Sequence, residues 1–283
     1  MGLEEWRLVD DNPVGGLGDH SKAWNFDRRG IEGHGFGAGR ISAECAPASI
    51  PHTDKFADLK NNLVIQIRHV TRRYSAAVIA LDDVSVEIAA GEFVAITGPS
   101  GCGKSTLMHL IGGLDTPTAG EVVVDGLHLH GATDAELTAY RRARVGIVFQ
   151  FFHLLPTMSV VENVCLPLLL RGDSYASARA CAEELIGLVG LADRARHGMH
   201  QLSGGQLQRT AIARALVHEP AVLLADEPTG NLDSAAAGQI MELLQKISSQ
   251  RRTTMVVVTH SEDVAKQATR CIRLRDGKIQ NEP

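Results

Sequence analysis

Two kinds of apolar pattern divide the chain beyond residue 62. LVIQIRHV at 63–70 and LDDVSVEI at 81–88 alternate apolar and polar side chains, the period of a strand with one buried face. EFVAIT at 92–97, AVLLA at 221–225 and TMVVVT at 254–259 are continuous apolar runs instead, and RVGIVF at 144–149 reads as a further strand. Continuous runs of this length suit strands buried on both faces, as in a parallel sheet. Between them the spacing predicts helices at 104–111, ending on Gly112 and Gly113, at 177–189 and at 234–250. Ser159-x-x-Glu162 and Ser203-x-x-Gln206 read as capping boxes, and the Asp-Gly pairs at 125–126 and 276–277 as hairpin turns. Residues 151–220 carry no strand pattern, so a mainly helical subdomain is expected there. The sequence has no internal repeat.

Residues 1–61 are different. They are rich in Gly, Asp, Asn and His and show no sustained period. They read as a disordered N-terminal extension before a folded domain at 62–283, with docking through Trp6, Trp24 and Phe26 as the alternative. The 44% hydrophobic and 22% charged content of the 283 residues is that of an ordinary globular chain. A formal net charge of -5 leaves no basic excess to neutralise phosphates, so no nucleic-acid partner is expected. Five scattered cysteines, with no C-x-x-C, fit a reduced compartment. No secretory apolar core and no apolar run of about 18 residues is visible, so any membrane link is expected to run through a partner.

Three of the buried runs are followed at once by polar chemistry. In open α/β sheets ligands sit beyond the carboxyl ends of the strands, so these motifs should share one edge. GPSGCGKST at 98–106 matches the phosphate loop G-x-x-x-x-G-K-[ST]. Gly98, Pro99, Ser100, Gly101, Cys102, Gly103, Lys104, Ser105 and Thr106 would form it. Its glycines let the backbone wrap phosphates, Lys104 should reach the β- and γ-phosphates, and Ser105 should ligate Mg²⁺. Cys102 reads as a small filler. LLADE at 223–227 ends a strand with two carboxylates, Asp226 for the Mg²⁺ shell and Glu227 as general base for an attacking water. His260 ends VVVTH, where it could bond the γ-phosphate or that water. Gln150, after RVGIVF, offers an amide that can bridge a metal or water without bringing charge. His197 and His200 form an H-x-x-H without further ligands.

LSGGQ at 202–206 raises a separate question, since it is a second phosphate-holding device. Ser203 reads as an N-cap and Gly204, Gly205 and Gln206 as the first helical turn, with free N–H groups and positive dipole facing outward. The economical resolution is that it caps the nucleotide of a second copy of the chain. Two copies head to tail would enclose two ATP molecules, each held by one phosphate loop and the other chain's LSGGQ, across an isologous interface.

GPSGCGKST, Gln150, LSGGQ, VLLADEP and His260, in this order, resemble the nucleotide-binding subunit of an ABC transporter, over about 63–283. The resemblance implies the fold class: α/β, a phosphate-loop (RecA-like) core with mainly parallel sheet, a small antiparallel β subdomain and an inserted α-helical subdomain. It implies ATP and Mg²⁺ as cofactors and the head-to-tail homodimer. It also implies that Tyr74 stacks on adenine and that Asp233, in the NLD at 231–233, helps organise the opposite site. FQFFHLLPTMSVVENVCLPLLL at 149–170 and DEPTGNLDS at 226–234 resemble, more narrowly, the lipoprotein-release and macrolide-export group, which includes a cell-division member. That implies a peripheral ATPase at the cytoplasmic face of the membrane, powering export, release or mechanotransmission. The permease would dock in a groove near 150–155, with Phe151, Phe152, Leu154 and Leu155 exposed. A cassette regulating a non-transport membrane complex is the alternative reading, and a soluble ATPase acting on DNA or ribosomes a more distant one. Met199, Leu207 and Thr210 depart from the group's usual proline, glutamine and valine; none of them is an expected phosphate contact.

Overall fold

The computed structural model describes residues 63–251 and 253–280. The extension expected at 1–61 lies outside the described residues. The chain opens with two long antiparallel strands, β1 (Leu63–Arg73) and β2 (Ile79–Ala89). The first buried run follows as β3 (Phe93–Thr97) and leads through the Gly-rich loop into α1 (Lys104–Ile111). The hairpin β4 (Ala119–Val124) and β5 (Leu127–His128) returns to the antiparallel sheet, and α2 (Asp134–Ala143) leads to β6 (Val145–Val148). Helices α3 (Val160–Arg171), α4 (Tyr175–Leu188) and α5 (Gly204–Leu216) come next. Then β7 (Val222–Asp226), α6 (Ser234–Arg251), β8 (Thr254–Val258), the single turn α7 (Glu262–Ala265) and the hairpin β9 (Arg270–Arg275) and β10 (Lys278–Gln280) complete the domain.

The strands form two sheets. β2-β1-β4-β5 is wholly antiparallel. The other runs β10-β9-β3-β8-β7-β6, parallel throughout except for the terminal β9–β10 hairpin. The continuous apolar runs are explained by what lies on either side. Val94, Ile96, Val222, Leu224, Val256 and Val258 point into a core shared with α1 and the antiparallel sheet. Their neighbours in sequence, Phe93, Leu223, Ala225, Met255 and Val257, point into a second core under α3, α4, α5 and α6. Successive side chains leave a strand on opposite faces, so a strand with two cores has no polar position.

Local sequence sets the boundaries. Ser159 and Ser203 each accept a hydrogen bond from the backbone N–H three residues on, while Glu162 and Gln206 reach back to the cap N–H, as the capping boxes predict. Asp125-Gly126 and Asp276-Gly277 take the positive φ that a tight hairpin needs. α4 starts at Tyr175 rather than Ser177, because Ser174 is its cap and Ser177 merely donates the capped N–H. β1 runs three residues beyond the alternating stretch through irregular register, with His69 at positive φ. α2 went unanticipated in the sequence; Thr133 and Glu136 form its capping box.

Candidate active site

The site is assembled along the carboxyl edge of the parallel sheet. Register pairs Ile96 with Val258, Asp226 with Val258 and Val148 with Ala225, so β3, β8, β7 and β6 end almost level. The segments leaving those ends carry the phosphate loop, His260, the Asp226–Glu227 pair and Gln150, in that order across the edge.

Lys104 is buried to 9% exposure, and its Nζ donates to the carbonyls of Gly98 and Pro99, each at 2.8 Å. The ammonium is thus held back inside the loop by the loop's own backbone. Gly103 caps α1 in the left-handed region, with φ 105°, and no side chain caps that helix. A Cβ there would meet the Ala80 carbonyl at 2.3 Å. α2, α3, α4 and α5 all carry capping side chains. An uncapped N-terminus behind a glycine loop leaves backbone donors and a positive dipole for an anion, which fits a phosphate. Cys102 is buried, with its Sγ 4.0 Å from Lys104 Nζ, as a filler would be.

Asp226 is half-buried. Burial raises its carboxyl pKa, the neighbouring Glu227 charge adds to the rise, and His109, a hydrogen bond from Ser105 and Lys104 pull it down. Ser105 and Asp226, expected to share a cation, therefore lie close enough to interact. Adding a divalent cation there would relieve the crowding of two carboxylates, so the donor set fits Mg²⁺. Glu227 sits at φ 44°, its N–H donating to Val258 O at 2.9 Å. His260 Nδ1 donates to Glu227 Oε1 at 2.7 Å, since a carboxylate only accepts, and Thr259 Oγ1 donates to Oε2 at 3.2 Å. The His260 side chain is 71% exposed while that of Glu227 is 15% exposed. The imidazole therefore reaches solvent while the carboxylate is pinned at both oxygens.

Gln150 is tied in through its backbone, with Asn231 Nδ2 donating to its carbonyl at 2.8 Å. Its amide nitrogen lies 3.0 Å from where a Cβ on Gly230 would stand. Asp233 accepts from the Ala236 N–H at 2.8 Å, so within the chain it caps α6. Gly204 and Gly205 lie against Leu232 and Ala236, whereas Gly98 and Gly103 lie against Leu274 and Ala80. The two stretches expected to hold phosphate therefore rest on different parts of one molecule.

The expected groove is only partly as anticipated. Phe151 is 70% and Leu155 39% exposed, but Phe152 and Leu154 are half-buried, Leu154 against the second core. The cause is a turn with Phe152 and His153 both at positive φ. Two residues not picked out from the sequence hold it. Arg214 of α5 donates to the carbonyls of His153 at 2.6 Å and Phe152 at 2.9 Å. Asn163 of α3, fully buried, accepts from the Leu155 N–H and donates to the carbonyls of Leu155, Met158 and Ser159. Thr259, Asn231 and His109 were likewise missed. Thr259 and Asn231 lie inside the VVVTH and NLD stretches and His109 in the helix expected at 104–111, and membership of those stretches was the only available signal. At the departures from the group pattern, Met199 is buried, Leu207 packs on the second core, and the buried Thr210 hydroxyl donates to Gln206 O.

Fold and site together define a phosphate-loop nucleotide-binding domain. A family model described as ABC transporter matches residues 81–230. The lipoprotein-releasing system ATP-binding protein LolD of Bordetella avium is 45% identical over 225 residues, 78% of this chain and 98% of that relative. LolD of Bordetella pertussis is 46% identical over 219 residues, 76% of this chain and 95% of that relative. Among solved structures, the dimeric post-hydrolysis state of the ATP-binding cassette MJ0796, bound to ADP and Pi, superposes with TM-score 0.71. It is 43% identical, with 77% of this chain and 97% of that chain covered. The structure of cbiO1 from Clostridium perfringens, part of the ABC transporter complex cbiONQ, gives TM-score 0.72 at 28% identity, covering 78% of this chain and 88% of that chain. The chain belongs to the ABC transporter family, as an ATP-binding domain that hydrolyses ATP. No helix among the described residues is long and apolar enough to cross a membrane.

Proposed function

We propose that this chain is the ATPase subunit of a membrane transporter of the lipoprotein-release type, acting as a head-to-tail homodimer on the cytoplasmic face of the membrane. The observation that carries the reading is the meeting of four motif-bearing segments on one level sheet edge. The likeness to LolD over most of both chains supports the subgroup.

The phosphate loop from Gly98 to Thr106 holds the triphosphate through backbone N–H groups, and Lys104 exchanges its two carbonyl partners for phosphate oxygens. Ser105, Gln150 and Asp226 would hold Mg²⁺, which when bound would supply positive charge to offset that of the phosphates. Glu227 takes the proton of the attacking water, its carboxylate aimed by His260 and Thr259. Tyr74 carries the adenine. Ser203, Gly204, Gly205 and Gln206 of the partner copy close over the γ-phosphate with the N-terminus of α5, and Asp233 lies at the same junction. The separate placement of the two devices within one chain supports a site completed by a second copy. Phe151 and Leu155 supply the apolar contact for the permease.

Glu227→Gln tests the core of this reading. The amide keeps the shape and accepts no proton. Turnover should fall by at least about two orders of magnitude, the typical worth of a general base, while ATP is still bound and the dimer accumulates in gel filtration. Unchanged turnover would remove Glu227 from the role of base, and a variant that stays monomeric with ATP bound would remove the shared site. Co-purification of the chain with an integral-membrane permease tests the transporter assignment directly.

A further inference from the structure

Tyr74 is more than half exposed, yet it is not a free surface side chain. Its hydroxyl donates to Asp115 Oδ2 at 2.9 Å. The guanidinium carbon of Arg72, two residues earlier and near the end of β1, lies 4.6 Å from the ring centroid, well inside cation–π range. Arg72 Nη2 is itself paired with Asp115 Oδ1 at 2.7 Å. Asp115, in the loop after α1, is fixed in turn, because the Thr116 N–H donates to the same Oδ1 at 2.8 Å. One carboxylate thus ties down both the tether of the ring and the cation that covers it. The cation is costly to place there, since Arg72 Nε is buried without a hydrogen-bond partner.

The result is a tyrosine ring with a cation over one face, its hydroxyl anchored and more than half of the residue exposed. A ring ordered in advance does not lose rotamer freedom when a flat ligand stacks on it. A cation on the covered face also draws electron density from the ring, which lessens its repulsion with the electron-rich face of a purine. We propose that Arg72 and Asp115 are positioning residues that hold Tyr74 as a nucleobase platform and so favour a purine nucleoside triphosphate over a bare or pyrimidine-bearing one. This rests on the reading of Tyr74 as the adenine-stacking residue.

The test is equilibrium binding by the full chain, with Mg²⁺ present, of ATP, UTP and inorganic tripolyphosphate. Asp115→Asn removes the charge that pairs Arg72 and weakens the acceptor of the hydroxyl, Tyr74→Phe removes the tether outright, and both keep the ring. Each should weaken ATP binding about three- to tenfold, the range of one hydrogen bond, narrow the ATP-to-UTP ratio, and leave tripolyphosphate binding unchanged. In a Tyr74→Ala background Asp115→Asn should have no further effect on ATP, because the group it positions is gone. If Asp115→Asn weakens ATP and tripolyphosphate equally, or acts undiminished without the ring, its role is structural and the proposal falls. If Tyr74→Ala weakens ATP but both tether variants bind like the native chain, the platform stands and the positioning claim alone is overturned. If Tyr74→Ala itself binds ATP normally, the stacking reading fails first. Should Asp115→Asn not fold, Tyr74→Phe, which removes only a hydroxyl, carries the same decision.

Discussion

Replacing Arg214 by methionine should loosen the segment 151–155 while leaving the domain folded. In the native chain the guanidinium holds the Phe152 and His153 carbonyls, and burial lowers its pKa, so the charge sits in poorly solvating surroundings. Each charge-assisted hydrogen bond is worth about 1.5–3 kcal/mol. Against this, methionine escapes the cost of burying a cation, which is of the same order. The balance is decided by the backbone. Phe152 and His153 stand at φ 61° and 48°, and a non-glycine residue in that region costs about 1–2 kcal/mol. Without the fork the turn has that strain to release, and its carbonyls are free to turn to water. We expect the local opening free energy to fall by about 3 kcal/mol, or roughly a hundredfold in amide exchange. The measurement is hydrogen exchange by mass spectrometry on a peptide covering 151–158. There the N–H groups of Phe152, His153, Leu155 and Met158 are bonded to Phe149, Phe151, Asn163 and Leu155. Arg214→Lys should fall between the two, because an ammonium lacks the planar fork. Protection in Arg214→Met within about threefold of native, a difference below 1 kcal/mol, would refute the reasoning.

Three further outcomes follow from other sites. Gly98→Ala should abolish nucleotide binding or folding, because its Cβ would stand 2.0 Å from the Leu274 carbonyl at φ 147°; ATP titration and circular dichroism check this. Ser203→Ala removes the cap of α5, where Oγ accepts from the Gln206 N–H, and should cost about 1 kcal/mol, seen in denaturant midpoint. His218 is held neutral: burial pushes its pKa below 6.5, its Nε2 donates to Val145 O, and its Nδ1 has no partner. Only the unfolded chain takes up that proton as pH falls below 6.5, so stability is full above it and lost as pH descends toward the folded value. His218→Gln should flatten that acid limb of the melting profile, and an unchanged slope between pH 7 and pH 5 would refute the assignment.

Most of the candidate site's edge was legible in the sequence because its parts are local. A run with two cores has no polar position, so β3, β7 and β8 announce themselves, and the residues after them are read directly off the chain. Capping boxes and Asp-Gly turns are equally local, and they set helix starts and hairpins within a residue or two. What the sequence left hidden are contacts between segments far apart. Arg214 against Phe152, Asn231 against Gln150 and Asp115 against Tyr74 are 62, 81 and 41 residues apart. No periodicity records such a pairing; it exists only because adjacent strands and packed helices bring the segments together. The chemistry at each strand end was therefore written in the order of residues, whereas the aim of Glu227, the hold on the 151–155 turn and the set of the Tyr74 ring were decided by packing.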